Sequence, residues 1–174
     1  MKAQFWSFDI VFAIVIFVIA LALITYVWSD ISNQFSLSYG NGVSAMQLGI
    51  QGLSTTLTES GNPSNWNSVV NVDNISTWNN VSIGLEGSSG LSTSKILTLE
   101  AMSEYNYQDT KPLLGVGYDY YITLTNGEVN ITIGKNPGPY NPTSVQVVNI
   151  PVLLNNQHTN MHIELWTNTT FGIS

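Results

Sequence analysis

The chain has 174 residues, with 11 acidic residues against 4 basic ones and a formal net charge of −7. The basic residues are the scattered lysines Lys2, Lys95, Lys111 and Lys135, with no arginine among them. This argues against a nucleic-acid partner, because nothing is arranged to grip a phosphate backbone. Cysteine is absent, which excludes disulfides, thiolate metal sites and thiol chemistry, and the length suits one globular domain plus an anchor.

The chain opens with MKAQFWSFDIVFAIVIFVIALALITYVWSD, in which an uncharged run from Ile10 to Ser29 follows Asp9 directly. About twenty such residues in a helix span about 30 Å, the hydrocarbon thickness of a bilayer. Lys2 precedes the run and Asp30 closes it, so the positive-inside tendency puts Met1 in the cytoplasm and the bulk of the chain outside. Trp6 sits near one edge and Tyr26 and Trp28 near the other, as amphipathic rings prefer. Two readings stand: a retained anchor and a cleaved secretory signal. The following stretch, TYVWSDISNQF, is a poor small-x-small cleavage site, which favours the anchor.

Apolar periodicity continues beyond Asp30. Val43, Met46, Ile50, Leu53 and Leu57 recur at spacings of 3, 4, 3 and 4, an a/d seam. The expected element is one long helix from Gln4 to Leu57, loosened at YGNG (39–42), where each glycine costs about 1 kcal/mol relative to alanine. The organisation that follows is a short basic lead with an apolar helix over 1–30, an amphipathic continuation over 31–58 and a head over 59–174.

ESGNPSNWN ends the helix with turn residues. NVSIGLEG reads as a strand, and STSKILTLEAMSEY as a short helix capped by Ser92 or Thr93. YDYYITLT and EVNITIG flank Asn126-Gly127, a pair suited to a two-residue type I′ hairpin turn. KNPGPYNPTS is a loop, and SVQVVNIPVLL and MHIELWT form a second antiparallel pair around NNQHTN. Pro151 places its strand on an edge or at a bulge. The fold class is therefore α+β: a long N-terminal hydrophobic helix followed by an antiparallel β-rich globular head of five or six strands.

Chemistry-bearing constellations are sparse. His158 and His162 straddle the expected turn and lack a third ligand nearby, so turn or surface roles outweigh metal binding. Glu100 and Glu104 are four apart on a helix, the pattern of a solvated face. No nucleophile–base–acid set, phosphate loop or dinucleotide motif is indicated, and the expectation is a non-enzymatic protein without cofactors. Asn74, Asn80, Asn130 and Asn168 each begin an N-x-S/T sequon and are candidates for N-linked glycans.

The lead MKA, the segment QFWSFDIVFAIVIFVIALALI with an acid at its mouth, and a helix running into a β-rich head together resemble the type IV pilin superfamily. Its archaeal branch is most similar. KA|Q resembles a class III prepilin site, making Ala3 and Gln4 the candidate processing site, and Gln4, Ser7 and Asp9 echo its Q…S…acid pattern. The lead ends in Ala3 where glycine is commoner, and Asp9 stands where the family usually has Glu. GNPSNW, LLGVGYDYYITLTNG and VLLNN…IELW are similar to the heads of archaeal pilin-like proteins. The resemblance implies a homopolymeric surface filament for adhesion or surface contact. Its subunits wait in the membrane before assembly and are handled by a prepilin peptidase and an assembly machinery. Ile10, Phe12, Val15, Phe17, Ile19 and Leu23 would line the helical core, and Lys2, Phe5, Phe8 and Asp9 would serve assembly, Asp9 pairing with a neighbour's amine. An archaellum subunit and a solitary membrane-anchored surface protein are the alternatives.

Overall fold

The computed structural model describes the backbone of residues 5–40, 42–126 and 130–168, and the side chains of 10–28, 45–126 and 130–168. Helix α1 covers Phe5–Gly40 and α2 covers Gly42–Thr58; Asn41, within the expected YGNG loosening, lies outside the described residues. The chain divides into two compact units between Asn41 and Gly42. Hence α2 belongs to the head unit.

The expected seam organises that head. Met46, Leu53 and Leu57 are fully buried and Ile50 nearly so, while the side chain of Val43 lies outside the described residues. The seam packs α2 against two long strands, β5 (Ser144–Leu154) and β6 (Gln157–Thr167). One apolar stripe on a helix thus meets one face of a sheet, and both are removed from water.

The sheet has six strands in the order β1-β2-β5-β6-β3-β4, with β1 at Glu86–Gly87, β2 at Gly90–Leu91, β3 at Asp119–Thr125 and β4 at Asn130–Gly134. It is mixed, because β2 runs parallel to β5 at Leu91 opposite Leu154; the other pairings are antiparallel, as expected. Period-two alternation sends Tyr120, Ile122 and Leu124 of β3 and Met161, Ile163 and Leu165 of β6 into the core. Apart from Leu154, β5 has no second neighbour, so it is an edge strand along most of its length and tolerates Pro151, as expected.

Three local expectations are corrected. First, the tight turn is Asn155-Asn156, where both residues have positive φ (52° and 63°) and Leu154 pairs with Gln157. A type I′ turn needs positive φ at both central residues, and asparagine tolerates it. Between β3 and β4 the last pair is Thr125 with Asn130, leaving four intervening residues rather than two; 127–129 lie outside the described residues. Second, NVSIGLEG contributes only Glu86–Gly87 to the sheet. Its remainder crosses the end of α2 instead: Leu85 N donates to Leu57 O (3.1 Å) and Glu86 N to Glu59 O (2.9 Å). This occupies carbonyls that a helix C-terminus leaves without internal partners. Gly84 permits the crossing, since a Cβ there would stand 2.3 Å from Glu59 O.

Third, helix α4 runs over Thr93–Leu113, well beyond the short helix expected, with Ser92 at its N-cap. Asn106 is non-helical (φ −151°, ψ 87°) and kinks it. The Asn106 side chain donates to Asp109 Oδ2 at 2.7 Å and accepts from Asp109 N at 3.4 Å, so it caps the second segment much as an N-cap residue does. Before α4, the short helix α3 (Trp66–Val69) and a 3₁₀ turn (Ile75–Asn80) bury Trp66 and Trp78.

Candidate functional site

Residues Ile10–Trp28 form 19 consecutive positions of α1 long and apolar enough to cross a membrane, and none of that segment is buried within the chain. Phe12 is 64 % exposed and Trp28 71 %. A helix apolar on every side is stable only when lipid or protein covers it. Thr25, a polar residue inside the run, donates its hydroxyl to Leu21 O (2.8 Å) or Ala22 O (3.0 Å). The segment thereby satisfies this hydroxyl on its own backbone, as a dry environment demands.

At 100° per residue, Phe12, Val15, Ile19 and Leu23 share one face of α1, whereas Ile10 and Phe17 fall on the opposite one. All six are exposed. Phe5, Phe8 and Asp9 fall within α1, but their side chains lie outside the described residues, as do Lys2, Ala3 and Gln4 altogether.

Within the head, α2 turns away from the sheet a face made of Ala45, Gln47, Leu48, Gln51, Gly52 and Thr55, all exposed. From Ile31 to Thr58 the sequence holds no charged residue. A Cβ at Gly52 would meet nothing within 4 Å, whereas one at Gly49 would come 3.1 Å from Leu165 Cδ2. Packing within the subunit therefore accounts for Gly49 but not for Gly52.

The lysines are less scattered than the sequence suggests. Lys111 and Lys135 each stand 3.1 Å from Asp119, one on each carboxylate oxygen, and the Tyr107 hydroxyl donates to Asp119 Oδ1 at 3.2 Å. Burial pushes the Asp119 carboxyl up, but the two ammonium groups more than offset it and hold it below 3.8. Burial raises the Tyr107 phenol well above its usual range. Lys135 also lies 4.2 Å from the ring centre of Tyr140, which stacks on Trp166 at 5.4 Å. The sequence sign of this cluster is an acid, Asp119, heading an otherwise alternating strand. Lys95 is 6 % exposed and donates to Ser60 O and Glu86 O, each at 2.7 Å; burial lowers its pKa from 10.5.

His158 and His162 do not straddle the turn, which lies before both; they share the outer face of β6. His158 is exposed, and the His162 ring lies between Asn149 Oδ1 (2.7 Å) and Glu164 Oε1 (3.0 Å). Glu104 is exposed and Glu100 half-buried. The sequon residues Asn74, Asn80, Asn130 and Asn168 are all exposed.

The layout, an apolar N-terminal helix and then a strand-rich unit, is compatible with a pilin-like arrangement. Comparison with protein-family models, with curated proteins and with solved structures finds no match to this chain.

Proposed function

We propose that this chain is the structural subunit of an archaeal type IV pilus-like surface filament. Its apolar helices polymerise into the core, and its heads form the outer layer used for adhesion or surface contact. The observation that carries the reading is the apolar segment Ile10–Trp28, none of which is buried within the chain. It needs cover that its own chain does not supply, first from lipid and then from copies of itself. The uncharged stretch Ile31–Thr58 adds support, because an outward helix face that stays in water ordinarily carries charge. Before assembly the subunit would sit in the membrane with its N-terminus in the cytoplasm, to be processed by a prepilin peptidase and handed to the assembly machinery. The reading has no catalytic role, cofactor or nucleic acid in it.

A solitary membrane-anchored surface protein is the second reading, favoured by the length of the segment: 19 residues in a helix span about 28 Å, close to the hydrocarbon thickness. Electron microscopy of material sheared from cells separates the two. Filaments built of this chain support the proposal, and membrane-bound monomers alone overturn it. If filaments form, a swimming assay of a deletion strain distinguishes a pilus from an archaellum.

A further inference from the structure

The four sequons differ in what holds them. Asn80-Val81-Ser82 is pinned: Val81 is buried, and Ser82 exchanges backbone hydrogen bonds with Asn62 at 2.8 and 2.9 Å. Asn130-Ile131-Thr132 lies inside the β3–β4 ladder, with Asn130 opposite Thr125 and Thr132 opposite Thr123. Asn168 is followed by residues outside the described set. Asn74-Ile75-Ser76 is a surface turn with Asn74 and Ser76 both exposed.

The geometry of Asn74 is specific. The residue caps the 3₁₀ turn with φ −130° and ψ 92°. Its Oδ1 accepts from Ser76 N at 3.2 Å and from Ser76 Oγ at 2.7 Å. A backbone N–H can only donate, so the oxygen end of the carboxamide is turned onto the chain and the nitrogen is its free end. The sequon hydroxyl is thus already beside the carboxamide it accompanies. The backbone bonds of Asn74 are also local: Asn74 N donates to Asn71 O at 3.0 Å, and Asn74 O accepts from Thr77 N at 3.0 Å and Thr77 Oγ1 at 2.8 Å. Lifting this triplet into another protein's active site breaks short-range hydrogen bonds and draws half-buried Ile75 off the core, whereas lifting Asn80 or Asn130 breaks a bridge or a ladder as well.

We propose that Asn74 is N-glycosylated in preference to Asn80 and Asn130. The donor class is an oligosaccharide linked through its anomeric carbon to a polyprenyl phosphate. In the transfer, Asn74 Nδ2 bonds to the anomeric carbon and the carbon–oxygen bond to the phosphate breaks. The lipid phosphate leaves with the electron pair, and one amide proton passes to a base on the transferase. This inference rests on the surface location given under the proposed function, because lipid-linked transfer meets the chain on the outer side of the membrane.

The test uses the full chain isolated from its native cells. Digestion at Glu residues releases 60–86, which carries both Asn74 and Asn80. Fragmentation that leaves the sugar attached then reads occupancy at each. The expected result is a sugar mass on Asn74 at several-fold higher occupancy than on Asn80, lost in Asn74→Gln and Ser76→Ala, kept in Ser76→Thr and unchanged in Asn80→Gln. Bare Asn74, or occupancy at Asn80 equal to or above it, overturns the inference. Protease added to intact cells separates the causes. A digestible head with bare Asn74 overturns the site alone, and a protected head overturns the surface reading with it.

Discussion

The Lys95 ammonium lies 2.7 Å from the carbonyl oxygen of Ser60, just past the C-terminus of α2. A cation there serves both a carbonyl without a helical partner and the negative end of the helix dipole. The second carbonyl, Glu86 O, brings β1 to the same ammonium. Lys95→Met keeps most of the volume but leaves both acceptors without this donor. The expected loss is about 1–3 kcal/mol of unfolding free energy, since both acceptors are only partly enclosed and water offsets part of the cost. Chemical denaturation of the head unit, Gly42 onward, measures it; an unchanged midpoint would show that water replaces the ammonium without cost.

The two glycines of α2 should respond in opposite directions. Gly52→Ala adds a methyl into open space and recovers helix propensity, raising head stability by about 0.5–1 kcal/mol. If this face packs on a neighbouring helix in the proposed filament, the same methyl intrudes on it, and filament yield should fall although the subunit is more stable. Gly49→Ala pushes on Leu165 Cδ2 at 3.1 Å and should be neutral or destabilising. A Gly52→Ala variant that assembles normally would show that this face makes no close contact.

Leu53 is fully enclosed, so Leu53→Ala should cost about 2–5 kcal/mol. Thermal unfolding of the same head unit reads it as a clear drop in Tm. A loss under 1 kcal/mol would mean that the α2–sheet interface collapses readily around the gap.

Acid should destabilise the head late and weakly. The Asp119 carboxyl is held below 3.8 in the folded state, so it binds protons more weakly there than in the unfolded chain. Its contribution is therefore complete above about pH 4 and is lost as pH falls through its folded value. With every carboxylate neutral, the side chains carry at most six positive charges, from 4 lysines and 2 histidines, so repulsion stays small. The expected stability is flat from pH 7 to 4 and then declines modestly, because the cluster is partly exposed. Asp119→Asn should lower the plateau and remove most of that decline. Unfolding near pH 4 in the parent chain would contradict the argument.

Asp9 tests the polymer directly. At a membrane edge an amide is as well tolerated as a carboxylate, and Asp9→Asn would be silent. In a protein core it would leave a neighbour's cation unpaired, at a cost of about 3–5 kcal/mol per subunit. The expected outcome is normal membrane insertion with few or short filaments, with Asp9→Glu partly active. Normal filament yield from the Asn variant, at equal membrane levels, removes Asp9 from assembly.

What could be read from the sequence follows the strength of periodic signals. The seam of Met46, Ile50, Leu53 and Leu57 and the alternation in β3, β5 and β6 were legible because burial recurs at a fixed spacing along each element. Pro151 was legible because a missing N–H restricts where a strand can lie. The turn at Asn155-Asn156 was not, since Asn-Gly at 126–127 is the stronger local signal and only the β5–β6 register decides between them. The expected helix stops at Tyr105, yet the bonds of Asn106 to Asp109 restart it. The contacts of Lys95 with Ser60 and of Lys135 with Asp119 are long-range in sequence, and Lys111 reaches Asp119 across a chain reversal, so no helix or strand period encodes them.

Every ammonium group among the described residues is engaged within the fold, two on Asp119 and one on backbone carbonyls. Glu59, Asp73, Glu86 and Glu104 meanwhile stand exposed. In the proposed filament, neighbouring heads would therefore present fields of the same sign to each other. Such bodies repel over about 30 Å in dilute salt and only about 8 Å at physiological ionic strength. The ionic strength of the surroundings would thus act as a dial on how closely these heads, or bundles of filaments bearing them, can lie side by side.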